Sequence, residues 1–495
     1  MLESIVSGFL SIFDLKTLPL LLIGIPIGLT FGILPGLSGL TAVALLMPFV
    51  YGMEPGPALA FLLAAHAVVY TGGSVTAILL NIPGAPPNAA TLIDGFPMTK
   101  KGLAGRALGN ALAASGLGGV FGGVVLVVLV FIVRPIVLAF GLPEYFFLVL
   151  LGISFIAVLG RESALKGLIS GILGLFLSFV GIHVLTGESR FWFGSLYLLD
   201  GFPIIPIALG IFAMPEVIDL FIRGGTIAQV EGVDTRPVLV WEGVKDIFRH
   251  FRLFLQSSAI GTGVGIIPGI GGDTATFVAY GFAKSVSKDP SQFGQGCVEG
   301  VIAPEAANNA KEGGSLLPTL AFGIPGSAAM AILLGAFLLV GLEPGPLFLQ
   351  EHVDVAFTLA GTVILANVLG AAALLLLAGK LSRLAFVRGR ILGPIVLILV
   401  VVGAQSVRGN PWDVFLVFVF TALGYTMKVL RYNTPAFFLG FVLGAKAETY
   451  FGLSMHTYGP LFFLQPISVA LILVTLFILF FNQIRAVFAR RTSAS

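Results

Sequence analysis

The chain has 495 residues, of which 57% are hydrophobic and 10% charged, with a formal net charge of +3. So small a charge excludes an electrostatic nucleic-acid footprint, and the single cysteine, Cys297, excludes an intrachain disulfide and a cysteine-based metal site. Apolar runs at 118–133, 146–159, 365–378, 391–402 and 467–481 approach, with their flanks, the ~20 residues that cross a bilayer core, so the chain reads as a polytopic membrane protein.

Residues 1–13 predict an interfacial helix, and residues 1–16 contain the acids Glu3 and Asp14 but no basic stretch of the kind that opens a cleavable signal peptide. The segment 17–34 enters the membrane and stops at Pro35. Residues 37–50 are too short to span, and Glu54-Pro55-Gly56-Pro57 turns the chain. A further short piece, 58–70, ends at Thr71-Gly72-Gly73-Ser74. After 75–80 comes a second break, Asn81-Ile82-Pro83-Gly84-Ala85-Pro86-Pro87-Asn88. Plain spans are predicted at about 107–133, 135–159, 164–184 and 203–223, followed by a soluble connection over 224–250 with a short amphipathic helix around Trp241–Phe251.

The second half repeats the opening. Gly265-Ile266-Ile267-Pro268-Gly269-Ile270-Gly271-Gly272-Asp273-Thr274 falls on Gly32-Ile33-Leu34-Pro35-Gly36-Leu37-Ser38-Gly39-Leu40-Thr41 when Gly265 is set on Gly32. A helix-like piece to Lys284 and a polar stretch from Ser285 to Gly314 follow. Glu312-Gly313-Gly314-Ser315 is set against Thr71-Gly72-Gly73-Ser74, and Gly323-Ile324-Pro325-Gly326-Ser327 against the Asn81 break. Glu343-Pro344-Gly345-Pro346 is a turn, and plain spans are predicted at about 353–378, 391–405, 412–428, 432–446 and 461–483. The organisation expected is a first membrane repeat over 1–223 (motif block 17–98), a cytoplasmic linker over 224–250, and a second repeat over 251–495 (motif block 252–346).

Charge orients the chain. Basic clusters at Lys100/Lys101/Arg106, Arg161/Lys166, 223–252, 380–390, Lys428/Arg431 and 485–491 fall on one side of the predicted spans, and the positive-inside tendency makes that side cytoplasmic. The C-terminus is then cytoplasmic and the N-terminus periplasmic. One motif block exits inside and the other outside, which predicts two inverted-topology repeats in an all-α membrane protein, with the broken helices meeting near the bilayer midplane.

Paired broken helices are where such a fold builds a binding site, because helix N-termini there offer unpaired N–H groups and partial positive charge to an anion. The substrate-contacting candidates are Gly36, Ser38, Gly39, Asn81, Gly84, Gly269, Gly271, Gly272, Thr274, Gly326 and Ser327. Kinks that only shape packing are the alternative for these breaks. Asp273 is the first candidate for a coupling ion, since a carboxylate at membrane depth is costly unless it has a task; its counterpart is Leu40. Glu305, Asn308 and Asn309 follow Pro304 at helical spacing and share a face, as oxygen ligands for Na⁺ or a proton site would. His66, His183, His352 and His456 are isolated and read as packed or interfacial residues. No phosphate loop and no metal-ligand or nucleophile motif is present, so an ATP motor and an enzyme are not expected.

These motifs resemble the large transmembrane subunit of the tripartite tricarboxylate transporter family. The likeness runs along nearly the whole chain and is most specific at 32–39, at 81–88 with Asp94-Gly95-Phe96-Pro97-Met98, and at 265–272. It continues through Glu299-Gly300-Val301-Ile302-Ala303-Pro304-Glu305-Ala306-Ala307-Asn308-Asn309-Ala310 and Leu317-Pro318-Thr319 to Gly326. The resemblance implies a bacterial inner-membrane symporter for a citrate-like carboxylate, driven by a Na⁺ or H⁺ gradient and without another cofactor. It also implies a small integral-membrane subunit and a periplasmic solute-binding protein as partners. A passive anion channel with a re-entrant filter is the competing expectation.

Overall fold

The computed structural model describes residues 2–34, 37–159, 163–223, 234–269, 271–384 and 389–492. Its first half runs α1 (Leu2–Leu10), α2 (Thr17–Ile33), α3 (Gly39–Leu46), α4 (Pro55–Leu80), α5 (Ala89–Lys100), α6 (Ala104–Val137), α7 (Leu142–Leu159), α8 (Ala164–Ser178), α9 (Ile204–Ala208) and α10 (Met214–Arg223). The second runs α11 (Pro237–Arg249), α12 (Phe251–Ile266), α13 (Gly271–Val286), α14 (Glu299–Phe322), α15 (Ala328–Leu339), α16 (Phe348–Glu351), α17 (Val353–Leu384), α18 (Gly389–Arg408), α19 (Pro411–Val429), α20 (Thr434–Tyr458) and α21 (Pro466–Thr492). Among the described residues, sheet is confined to a two-residue antiparallel pairing of β1 (Gly181–Ile182) with β2 (Ser189–Arg190). Six of the described helices are long and apolar enough to cross a membrane. The protein is an all-α polytopic membrane protein, as the composition requires.

Small residues set the helix crossings. Between helices in lipid there is little apolar drive, so close backbone approach takes over. Gly24, Gly28 and Gly32 recur every fourth residue on α2 and meet α4 so tightly that a Cβ on Gly28 would stand 1.9 Å from the Ala65 carbonyl oxygen, and one on Gly32 2.0 Å from that of Val69. On α12, Gly261 and Gly265 meet α14 in the same way, 2.2 Å from the Ala307 oxygen and 2.4 Å from the Lys311 oxygen. Gly28 therefore matches Gly261, and Gly32 matches Gly265, with Val69 opposite Lys311.

This equivalence corrects the register of the second motif. Gly72 faces the Leu29 carbonyl as Gly314 faces that of Thr262, so Thr71-Gly72-Gly73-Ser74 falls on Gly313-Gly314-Ser315-Leu316, one residue from the alignment that the sequence suggests. Nor is there a break at Thr71–Ser74: α4 runs unbroken for 26 residues and α14 for 24, with Pro304 inside α14 rather than at its start. The glycines lie where neighbouring helices cross, and the helix hydrogen bonds continue through them. The stretch read as polar from Ser285 is, from Glu299 onward, a deeply buried helix.

Two hairpins enter from opposite ends. α6 finishes beside the start of α17, where Arg134 donates to the Leu349 carbonyl at 2.9 Å, and α1 lies at this end with Gly8 against Asp354. α6 begins at the other end, where Arg106 makes a two-pronged pair with Asp246 of α11 at 2.6 and 3.0 Å. α2 follows α1 and α12 follows α11, so the α2–α3 and α12–α13 tips point toward each other. α11 packs on α6 as α1 packs on α17, so residues 237–249 belong to the membrane body. Of the rest of the expected linker, 224–233 lie outside the described residues.

Candidate functional site

A cavity of about 840 Å³ opens between the tips. Three helices begin in its wall: α3 with Ser38, Gly39 and Leu40, α13 with Gly271, Gly272 and Thr274, and α15 with Ser327, Ala328 and Ala329. The turn Ala85-Pro86-Pro87 that leads into α5 completes the ring. Ser38 and Ser327 cap their helices through bonds from the Thr41 and Met330 amides at 3.4 and 3.3 Å. The chain breaks here because Pro and Gly interrupt the ladder at 34–38, 83–87, 268–272 and 323–326. A helix must then restart, with its first N–H groups lacking intrahelical acceptors. Several positive helix ends thus converge on one space.

The cavity wall also holds Lys311, only 1% exposed, on the fully embedded α14. Its Nζ donates to Glu312 and sits 4.7 Å above the Tyr70 ring. The other Glu312 oxygen is 3.2 Å from Nε2 of His66, which stands edge-on to Tyr70 at 5.5 Å. His66 and Tyr70 come from α4, Lys311 and Glu312 from α14, so the two repeats together build this charged group. Burial of a charge in an apolar interior is costly unless it is paired, and here cation, carboxylate and imidazole satisfy one another.

A second buried polar group lies nearer the start of α14. Glu305 of α14 accepts from Thr91 and Ser115, with Asn88 Nδ2 at 3.4 Å. Asn88 also donates to the Tyr70 carbonyl at 2.9 Å and to Ser74 at 3.2 Å. Asn309 donates to Thr71 at 2.8 Å and to Asn367 at 2.6 Å, tying α14 to α4 and α17. Asn308 is buried, and neither polar atom of its side chain has a hydrogen-bond partner among the described residues.

Of the predicted contacts, Ser38, Gly39, Gly269, Gly271, Gly272, Thr274 and Ser327 line the cavity. Gly36 lies outside the described residues, and so does the side chain of Asp273, whose backbone falls in the first turn of α13. Three residues stand elsewhere. Asn81 caps the C-terminus of α4 in the left-handed region (φ 59°), which an Asn tolerates. Gly84 and Gly326 are packing glycines: a Cβ would lie 2.3 Å from the Gly32 oxygen in one case and 2.5 Å from the Ser315 Cα in the other. They fasten each break to the helices behind it. Glu305, Asn308 and Asn309 are buried on α14 away from the cavity wall, and the bonds of Glu305 and Asn309 go to different neighbours.

The sequence reading gives Lys311, Glu312 and Tyr70 no role in the site and takes His66 for a packed or interfacial residue. The usable signal was a Lys-Glu pair inside a run as long as a membrane span; it was obscured by reading 285–314 as a polar connection.

Oppositely entering hairpins whose tips face one cavity in a multi-helix membrane body are an arrangement found in membrane transporters. Residues 18–439 match the tripartite tricarboxylate transporter TctA family, and the chain belongs to that family. It is 33% identical over 462 residues, 92% of this chain and 90% of the relative, to an uncharacterized 52.8 kDa protein of the TAR-I ttuC' 3' region of Agrobacterium vitis. An uncharacterized protein of the TAR-II ttuC' 3' region of the same organism is 34% identical over 195 residues, 39% of this chain and 81% of the relative. No solved structure matches the chain.

Proposed function

We propose that the protein is the large permease subunit of a tripartite system that takes up a carboxylate across the bacterial inner membrane, driven by a Na⁺ or proton gradient. One observation carries the reading: the starts of α3, α13 and α15 converge with buried Lys311 on a single cavity. The helix ends are a ready anion site, and Lys311 supplies a formal charge. Membership of the family supports a small membrane subunit and a periplasmic solute-binding protein as partners. The far rim of the cavity is formed by Ser163, Glu216, Lys428 and residues 431–435, beside two of the basic clusters assigned to the cytoplasm. The arrangement described is then the inward-facing one. Asp273, whose backbone lies in the first turn of α13, and the buried Glu305 group are the proposed coupling sites, because an acid at membrane depth is costly unless it has a task.

Proteoliposome uptake of di- and tricarboxylates, with and without binding protein and under imposed Na⁺ or proton gradients, tests the function. Accumulation against the substrate gradient is expected; equilibration alone would make the protein a channel. Ion-coupled uptake by Asp273→Asn equal to that of the unmodified protein would remove Asp273 from the coupling site.

Orientation has its own test in Cys297, the sole cysteine, which is half-buried in the connection between α13 and α14. In intact cells a membrane-permeant maleimide should modify it and an impermeant one should not. Burial raises the thiol pKa, so labelling should be slow near neutrality and quicken with rising pH as thiolate forms. Modification by the impermeant reagent would reverse the assigned orientation.

A further inference from the structure

We propose that His66 and Glu312 form a proton-taking pair that releases Lys311 to the substrate, so that binding of a carboxylate draws a proton into the protein. The inference rests on the proposed carboxylate function and specifies how one charge of that substrate is balanced.

Lys311 faces two anions in turn. In the structure it is bonded to Glu312, which holds it against the cavity wall below Gly272, where an added Cβ would lie 2.4 Å from Lys311 Cε. A substrate carboxylate in the cavity meets Lys311 at the starts of α3 and α13. Once Lys311 turns to it, Glu312 is left as an embedded carboxylate whose remaining neighbour is His66 Nε2 at 3.2 Å. A neutral imidazole cannot compensate that charge; an imidazolium can. Proton uptake at Nδ1 of His66 gives an imidazolium–Glu312 pair, and the protein gains one positive charge against one substrate carboxylate. Nδ1 is suited to receive it, being buried without a hydrogen-bond partner among the described residues and lying 2.9 Å from where a Cβ on Gly39 would stand. It thus points at the opening turn of α3, in the cavity wall.

Among the groups whose side chains the structure describes, the other titratable ones leave this role to His66. Tyr70 on the same helix has its ring under Lys311. On α14, Glu305 is occupied by Thr91 and Ser115. On α5, Asp94 is held by Tyr280 and by the Gly294, Gly296 and Cys297 amides. The other elements packed on α4 bring hydroxyls at this level, Ser38 and Thr41 on α3, while the described charges of α6 and α17 stand at the helix ends, at Arg106, Arg134 and Asp354.

The test is calorimetric. Full-length protein in nanodiscs is titrated at pH 8 with citrate and with succinate, in two buffers of different ionisation enthalpy. About one proton should be taken up per ligand bound, with the same count for both ligands, since their own carboxyl pKa values differ. Two variants should abolish the pH dependence in opposite senses. Glu312→Gln frees Lys311 and should bind tightly at every pH, whereas His66→Asn leaves Glu312 uncompensated and should bind weakly, by at least about tenfold, at every pH. Binding without proton uptake, or variants that keep the original pH profile, would overturn the inference and leave the carboxylate function standing. If neither these ligands nor the wider carboxylate panel bound the unmodified protein, both would fall.

Discussion

Lys311→Met should reduce carboxylate uptake by at least about a hundredfold, because it removes the formal charge from a site otherwise built of helix ends. A charge-assisted bond to a carboxylate in a dry pocket accounts for about 3 kcal/mol, which is that factor. The substitution also leaves Glu312 embedded without its cation, and breaking one partner of a buried pair costs about 3–5 kcal/mol of stability. Loss of transport alone would therefore be ambiguous. The double variant Lys311→Met/Glu312→Gln removes both charges at nearly constant volume and should restore thermal stability, since apolar or neutral replacement of a buried pair is often close to neutral. It should not restore uptake. A stable double variant that transports normally would show Lys311 to be structural.

Gly32→Ala and Gly265→Ala should be damaging to a similar degree, each by more than about 3 kcal/mol, which exceeds ordinary overpacking. Their methyl groups would meet backbone, 2.0 Å from the Val69 oxygen and 2.4 Å from the Lys311 oxygen, and backbone cannot rotate away as a side chain can. Each hairpin would be levered off the long helix that supports it, and the Lys311 carbonyl belongs to the residue that faces the cavity. Expression level and melting temperature in detergent report the outcome. Gly263→Ala, where no atom lies within 4 Å of the added Cβ, is the control and should behave as the unmodified protein. If Gly32→Ala were as well tolerated as Gly263→Ala, the proposed equivalence of the two hairpins would fail.

Much of the site was legible in the residues because Pro and Gly act locally. A helix cannot pass through Leu34-Pro35-Gly36 or Pro268-Gly269, so the hairpin tips, the restarting helices and seven of the cavity-lining residues followed from the pattern alone. Glycine by itself was a poorer guide. Gly39 lines the cavity, while Gly84 and Gly326 secure the breaks, and nothing in their local sequence separates the two uses. The difference lies in which distant backbone arrives beside them. The same limit hid the break that does not exist at Thr71–Ser74, where two glycines mark a helix crossing instead of a helix end.

By itself, then, the sequence determined the all-α membrane class and the paired breaks, and predicted that the two halves enter from opposite ends, because hydropathy, helix breaking and charge asymmetry are properties of short stretches. Only the tertiary structure decided the chemistry at the centre. Val69 and Lys311 occupy equivalent places in the two repeats, as do Tyr70 and Glu312, so the symmetry of the backbone carries an asymmetric set of charges. His66 looked solitary because the carboxylate that pairs with it is 246 positions further along the chain. A buried ion needs its counter-ion within a few ångströms in space, and distance along the chain places no bound on that.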